Sequence, residues 1–214
     1  MKNYNKIYKC RLCRSSNLIK IIDFKKVPIG NNLYKQRKRS IKSAKYPLVL
    51  NQCIDCKHFQ LGHTILPNIL FKKNYTYLSG VSSIFLDHFE QYASSMKTFF
   101  NKKKLFKPKV LDVGSNDGSC LNKFKKQGFD ILGVDPAPIP AKIANTKNLT
   151  TINNYFDKKT LTLIKKKYGL FDLVTSHNVL AHIKNIDDIF ININEVLKKN
   201  GYLCFEVGYF LDVL

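Results

Sequence analysis

The stretch that most constrains this chain is Val110-Leu-Asp-Val-Gly-Ser-Asn-Asp-Gly118, followed later by Leu132-Gly-Val-Asp-Pro136. A short apolar run ends in Asp112 and Gly114, and a helical pattern runs from about Gly118 to Gln127. Strand, tight loop and helix in that order open a doubly wound α/β domain, which binds nucleoside-containing cofactors at the carboxyl ends of its strands. A dinucleotide fingerprint, G-x-G-x-x-G, needs its second glycine where the backbone approaches a pyrophosphate. That position is Asn116, and an acid, Asp112, stands two residues before the first glycine. An acidic loop suits a cofactor that carries an ammonium group and no phosphate; S-adenosylmethionine is such a molecule. Asp135 ends the second strand, where an acid can take both ribose hydroxyls of an adenosyl group. The competing readings are a dinucleotide site and a tight turn that binds nothing.

At 214 residues and 44% apolar content the chain is long enough for one large domain or two small ones. No apolar run reaches the length of a membrane span, and Met1-Lys-Asn-Tyr-Asn opens no signal peptide, so a cytoplasmic protein without a membrane partner is the expectation. The formal charge of +21 is unevenly spread. Residues 1–107 hold 22 basic and 4 acidic side chains, whereas 108–214 hold 14 and 11. Of the basic residues 32 are Lys and 4 are Arg, and scarcity of the residue best suited to bidentate recognition argues against specific nucleic-acid binding. The wealth of Lys, Asn and Ile is equally consistent with coding bias, while a positive front half would attract an anionic substrate such as a nucleotide-sugar.

Cys10-x-x-Cys13 and Cys53-x-x-Cys56 are the sharpest signal in residues 1–70. Two such pairs supply four thiolates on tight turns, the donor set of a tetrahedral, closed Zn²⁺ site that staples a small lobe. Redox-active or unbound cysteines are the alternative. Lys9, Arg11, Arg14 and Lys57 flank the thiols and are expected to lower their pKa values. His58 and His63 lie nearby but are not needed by a four-cysteine shell. Cys120 and Cys204 fall on apolar patterns and are expected to be buried core thiols. Strands are expected at 18–24, 46–51 and 59–61, with the basic run 36–45 in solvent.

Residues 71–108 read as an aromatic bridge and lead-in helix. Ile84, Phe85, Phe89, Tyr92, Ala93, Met96, Phe99 and Phe100 form one apolar stripe over 84–100, while Tyr75 and Tyr77 could be no more than linker packing. From 109 to 214 strands are expected at 110–113, 130–134, 150–153, 170–175 and 202–207. Helices are expected at 118–127, 138–146, 157–167 and 187–199. Right-handed crossovers lay these strands into one parallel sheet with helices on both faces. Ser176-His-Asn178-Val-Leu-Ala-His182 then joins Gly114, Asn116, Asp117, Asp135 and Pro136 at the ligand-binding end. The apolar tail at Phe210, Leu211, Val213 and Leu214 follows an uncovered fifth strand, and the chain reads as the front part of something longer.

Taken together, Cys10-Arg-x-Cys13, Cys53-x-x-Cys56, Tyr75-x-Tyr77-x-Ser79, Gly114-Ser-Asn-Asp-Gly118, Gly133-Val-Asp-Pro-Ala137, Asn178-Val-Leu-Ala-His182 and Phe205-Glu-Val207 resemble the zinc-containing sugar C-methyltransferases. These enzymes methylate the 3-carbon of nucleotide-linked 4-keto-6-deoxy sugars with S-adenosylmethionine. The resemblance extends over essentially all of this chain and matches the front half of the family pattern. It implies a Rossmann-like class I methyltransferase sheet, incomplete at about five strands, preceded by a small zinc-binding lobe. The family's Tyr-His-Glu-His catalytic run and C-terminal domain lie beyond Leu214, so the 214-residue chain alone is expected to be inactive. Gly208 stands where the family has proline, and Ser79-Gly80 replaces a more usual Ser-Ser. By resemblance Tyr77 belongs to the cofactor and substrate mouth and His182 is an active-site histidine, although His182 by itself reads equally as a satisfied helix-start residue. Asp112, Gly114, Asn116, Asp117, Asp135, Pro136 and Asn178 complete the expected cofactor site, with Asp117 on the ammonium. Two other functions remain open: a methyltransferase for another small molecule, and a non-catalytic zinc- and nucleoside-binding module.

Overall fold

A computed structural model describes residues 3–72 and 75–208. The chain divides into two compact units, Met1–Thr76 and Tyr77–Leu214. The apolar tail from Phe210 to Leu214 lies outside the described residues.

The first unit runs β1 (Tyr4–Lys6), β2 (Leu18–Pro28), α1 (Arg37–Ile41), β3 (Lys45–Cys53), β4 (Phe59–Leu61) and β5 (His63–Ile65), followed by one π-helical turn at Asn68–Lys72. β2, β3 and β4 form an antiparallel sheet in that order, and β1 pairs antiparallel with β5. The helix α1 is a short exposed turn of the basic run, as its cations require. Among the described residues of this unit the buried side chains are Cys10, Tyr46, Cys53 and Gln60. That is no apolar core, and a lobe so built needs a staple.

The second unit runs α2 (Ser83–Lys102), β6 (Lys109–Val113), α3 (Ser119–Lys126), β7 (Asp130–Val134), α4 (Pro138–Thr146), β8 (Thr151–Ile152), α5 (Lys158–Tyr168), β9 (Phe171–His177), α6 (Ile186–Val196) and β10 (Leu197–Glu206). Short 3₁₀ turns stand at Ser79–Val81 and Leu180–His182. The five strands form one parallel sheet in the order β10-β9-β6-β7-β8. This is the Rossmann-like sheet expected from the alternation of strand and helix. Because side chains alternate across a strand, β6 sends Leu111 and Val113 to one face and Val110 to the other. On the first face Leu111, Val113, Leu132, Val134 and Val174 pack with Leu161 and Ile164 of α5 and Ile189, Ile193 and Val196 of α6. On the second, Val110 and Leu173 pack with Phe89, Ala93 and Phe100 of α2 and Cys120 and Phe124 of α3.

Three expectations are corrected. Ile84 is 80% exposed and lies off the α2 stripe, which runs through Phe85, Phe89, Tyr92, Ala93, Met96 and Phe100 at helical spacing. The helix expected to reach 199 stops at Val196, because Leu197 takes extended backbone and pairs with Phe171. Cys204 is only partly buried, unlike Cys120. The sheet order reverses between β6 and β9, so the loops after those two strands face each other across the topological switch point.

Candidate cofactor site and metal centre

The two cysteine knuckles of the first unit repeat one backbone design. Cys10 N–H donates to Ser15 O and Arg14 N–H returns to Cys10 O at 2.7 and 3.0 Å; Cys53 N–H donates to His58 O and Lys57 N–H to Cys53 O, both at 2.9 Å. The returning residues, Arg14 and Lys57, sit at φ 66° and 63°. Asn17 joins the knuckles, its side-chain amide donating to Asp55 and its carbonyl accepting from Ile54 N–H. The sulfurs of Cys10 and Cys56 are 3.6 Å apart, as are those of Cys13 and Cys53, and all four lie within 4.8 Å of one another. A tetrahedron of 2.3 Å Zn–S bonds has edges of about 3.8 Å, so the thiols are already at coordination distance. Four thiolates this close cannot all ionise without a cation. Hydrogen bonds from the backbone N–H groups of Cys56 and Asp55 draw Cys53 down to about 7. Cys13, although helped by Ser15 N–H, is pushed up to about 12 by sharing protons with Cys56 and its other neighbours. The expected flanking cations are not what lowers Cys53; its backbone donors are. This cluster is the four-cysteine zinc-binding site of the lobe, and neither His58 nor His63 belongs to it.

In the second unit the loop after β6 makes its turn with three residues of positive φ: Gly114 at 80°, Asn116 at 49° and Gly118 at 77°. Asn116 adopts the left-handed conformation, which asparagine tolerates better than most residues. A Cβ on Gly114 would lie 2.3 Å from Val179 Cγ2, and one on Gly118 would lie 2.7 Å from Leu149 Cδ1. The loop is therefore packed hard against its neighbours. A cavity of about 20 Å³, room for a water molecule, is lined by Ser79, Phe89, Asp112, Gly114, Ser115, Cys120 and His177.

Asp112 is 2% exposed, and among the described residues none donates a hydrogen bond to its carboxylate. Burial, with the nearby charge of Asp135, pushes its pKa up to about 8. Ser115 Oγ is likewise buried without a partner. Asp135 is also raised by burial, but its two oxygens accept from Asn116 N–H and Ala137 N–H, each at 2.8 Å, which fixes the carboxylate's orientation. These features fit S-adenosylmethionine: an orphaned buried acid meets a cationic methionine end, and an oriented acid after the second strand meets a ribose.

The other expected residues divide. The Asn116 side chain bridges Tyr77 O at 3.2 Å and Ser79 N–H at 3.0 Å, so it pins the 77–80 segment on the loop. Asp117, expected to hold an ammonium, is instead committed to its own chain. It accepts from Ser119 N–H and Oγ–H, which the tight turn into α3 presents, and from Gly80 N–H of the 3₁₀ turn at Ser79–Val81. Asn178 donates to Glu206 Oε1 at 3.1 Å. Tyr77 is 40% exposed, and Pro136 follows Asp135 at the strand end. His182 ends the 3₁₀ turn after β9; it is exposed, local desolvation lowers its pKa, and it does not line the cavity. The histidine that lines it is His177, which contacts Thr175 Oγ1 at 3.1 Å and lies close to His88 and Glu206. Sequence reasoning assigned no role to His88 or Glu206; they carry no mutual spacing, and only the sheet brings them together.

Among the described residues no helix is long and apolar enough to cross a membrane. A family profile described as a methyltransferase domain matches residues 85–211, and one described as a zinc binding domain matches residues 10–71. The C-methyltransferase NovU of Streptomyces niveus is 27% identical over 210 residues, 97% of this chain and 49% of that protein. A ubiquinone biosynthesis O-methyltransferase of Pectobacterium carotovorum subsp. carotovorum (strain PC1) is 27% identical over 104 residues, 48% of this chain and 44% of that protein. The chain spans about half the length of these curated relatives. Among solved structures, Streptomyces venezuelae DesVI matches with a TM-score of 0.47 at 18% identity, over 59% of this chain and 53% of its own. With the Asp112–Gly118 loop, Asp135 and the reversing sheet all inside the matched region, the chain belongs to the methyltransferase-domain family and carries an S-adenosylmethionine-binding domain behind a zinc-binding lobe.

Proposed function

We propose that this chain forms the zinc lobe and cofactor domain of a methyltransferase that methylates carbon 3 of a nucleotide-linked 4-keto-6-deoxy sugar. The observation that carries the cofactor half of this reading is Asp112, a buried carboxylate with no hydrogen-bond donor among the described residues, on the wall of a cavity at the switch point. The sugar half rests on the resemblance of both lobes together, and the alignment with a C-methyltransferase along 97% of the chain supports it.

Bound S-adenosylmethionine supplies an electrophilic methyl group on a sulfonium. Asp112 answers the cationic methionine end, Asp135 the ribose hydroxyls, and Gly114 lets the backbone pass close beneath. Asn116 and Asp117 act at one remove, fixing Tyr77–Gly80 over the loop so that Tyr77 stands at the mouth. Carbon beside a ketone becomes nucleophilic only when a base removes its proton and a donor carries the charge left on oxygen. His182 and Tyr77 are assigned to the substrate side, and the base, by resemblance, to the family's Tyr-His-Glu-His run, which these 214 residues do not contain. An anionic nucleotide-sugar suits the cationic balance of residues 1–107.

Two measurements separate the halves. Calorimetry with S-adenosylhomocysteine should show Asp135→Ala losing about 1–3 kcal/mol of binding, the range for removing a charged hydrogen-bond acceptor; equal affinity in wild type and variant refutes that placement. Exchange of the sugar C3 proton with deuterated solvent, followed by NMR with this chain and with the complete product of its gene, tests the reaction. Cofactor binding with neither exchange nor methyl transfer from the complete product overturns the sugar reading alone.

A further inference from the structure

His88 of α2, His177 at the end of β9 and Glu206 at the end of β10 converge beside the cofactor cavity. His88 Nε2 lies 2.5 Å from Glu206 Oε2, His177 Nδ1 lies 3.8 Å from the same oxygen, and the three candidate donor atoms are all within 4.8 Å of one another. We propose that these residues form a second metal site, distinct from the four-cysteine centre, for a divalent cation of the zinc, manganese or iron(II) class.

Each residue is oriented for it. The His177 side chain is 10% exposed, and its Nδ1 is buried with no hydrogen-bond partner among the described residues. Its other nitrogen, Nε2, contacts Thr175 Oγ1 at 3.1 Å, and that hydroxyl contacts Tyr92 OH at 2.8 Å. When Nε2–H donates to Thr175, the Nδ1 lone pair faces the Glu206 carboxylate. In that tautomer two acceptors face each other at 3.8 Å, an arrangement that a cation between them relieves. The outer hydrogen bond is also what fixes tautomer and ring direction in metal-bound imidazoles. Glu206 Oε1 is held by Asn178 Nδ2, which leaves Oε2 as the ligating atom. Metal bonds of about 2.1 Å place neighbouring ligand atoms about 3.0–3.4 Å apart. The present separations bracket that range, and His88, 45% exposed, has room to adjust. Two imidazoles and one carboxylate select a transition-series ion over Mg²⁺ or Ca²⁺, which prefer oxygen donors, and three protein ligands leave positions open. Because His177 also lines the cavity beside Asp112 and Gly114, an open position there would accept an oxygen of the methyl acceptor. That consequence rests on the function proposed above; the metal binding does not.

The test is cobalt(II) titration of the zinc-loaded chain, with metal content measured in parallel. The expected result is a second equivalent per chain with weak visible bands and no thiolate charge transfer, since its donors are nitrogen and oxygen. His88→Ala and Glu206→Gln should each weaken that equivalent at least 10-fold while the zinc of the four-cysteine centre stays in place. His88 is exposed on a helix, so His88→Ala decides if Glu206→Gln fails to fold. Uptake of one metal in total, or a second equivalent that binds wild type and His88→Ala alike, overturns the site. S-adenosylhomocysteine binding, measured on the same samples, reports on the cofactor reading separately.

Discussion

Asp112 shows how one side chain couples ligand chemistry to stability. In the unfolded chain an aspartate titrates near 3.9; in the folded domain burial and the charge of Asp135 hold Asp112 at about 8. The folded state therefore keeps a proton that the unfolded state has lost. The stability linked to that proton is fully present below about pH 4 and falls by on the order of 1 kcal/mol per pH unit until about pH 8. Asp112→Asn removes the linkage, so the variant without cofactor should gain on wild type as pH rises, while its affinity for S-adenosylhomocysteine drops. Denaturant unfolding of both proteins at about pH 5 to 8 checks this, and a pH-independent difference between them would show that Asp112 titrates normally. An acid two residues before a glycine was legible in the sequence. That Asp117, five residues on, would turn inward was not, because it depends on where Ser119 and Gly80 place their donors.

At the level of elements, the loop between β6 and α3 is the part whose sequence and geometry agree most closely. Gly114 carries two constraints at once, a φ of 80° and a neighbour, Val179 Cγ2, 2.3 Å from where a Cβ would stand. Gly114→Ala is expected to destabilise the domain by about 1–3 kcal/mol, through left-handed strain and overpacking together. Gly128 supplies the control, with φ 83° but no atom nearer than Lys97 Nζ at 3.8 Å, so Gly128→Ala should show the backbone effect alone. Equal losses in the two variants would mean that Val179 yields freely. The α2 helix illustrates what periodicity can and cannot supply. Its stripe was legible from the spacing of Phe85, Phe89, Tyr92, Ala93, Met96 and Phe100, but the assignment of Ile84 to it needed the rotation of the helix against the sheet.

Over the whole molecule the two units are stabilised by different physics. The second has two apolar layers on a parallel sheet; the first, among its described residues, buries almost nothing apolar beyond Tyr46 and two of its metal ligands. Structural zinc contributes on the order of 10 kcal/mol in small lobes, far more than those few side chains can. Chelation should therefore unprotect backbone amides of the sheet β2-β3-β4 while those of β6 and β9 stay protected, as read by hydrogen exchange. Unchanged protection in the first unit would show that zinc does not hold it together. What the sequence determined by itself was local and periodic: the paired cysteines, the alternation of strand and helix, and the acid–glycine loop, all set by spacing along the chain. What only the tertiary structure decided was convergence. His88, His177 and Glu206 come from three elements that meet because the sheet order reverses between β6 and β9 and β10 lies beside β9. Proximity of that kind arises from strand order and helix packing, which no spacing along the chain encodes.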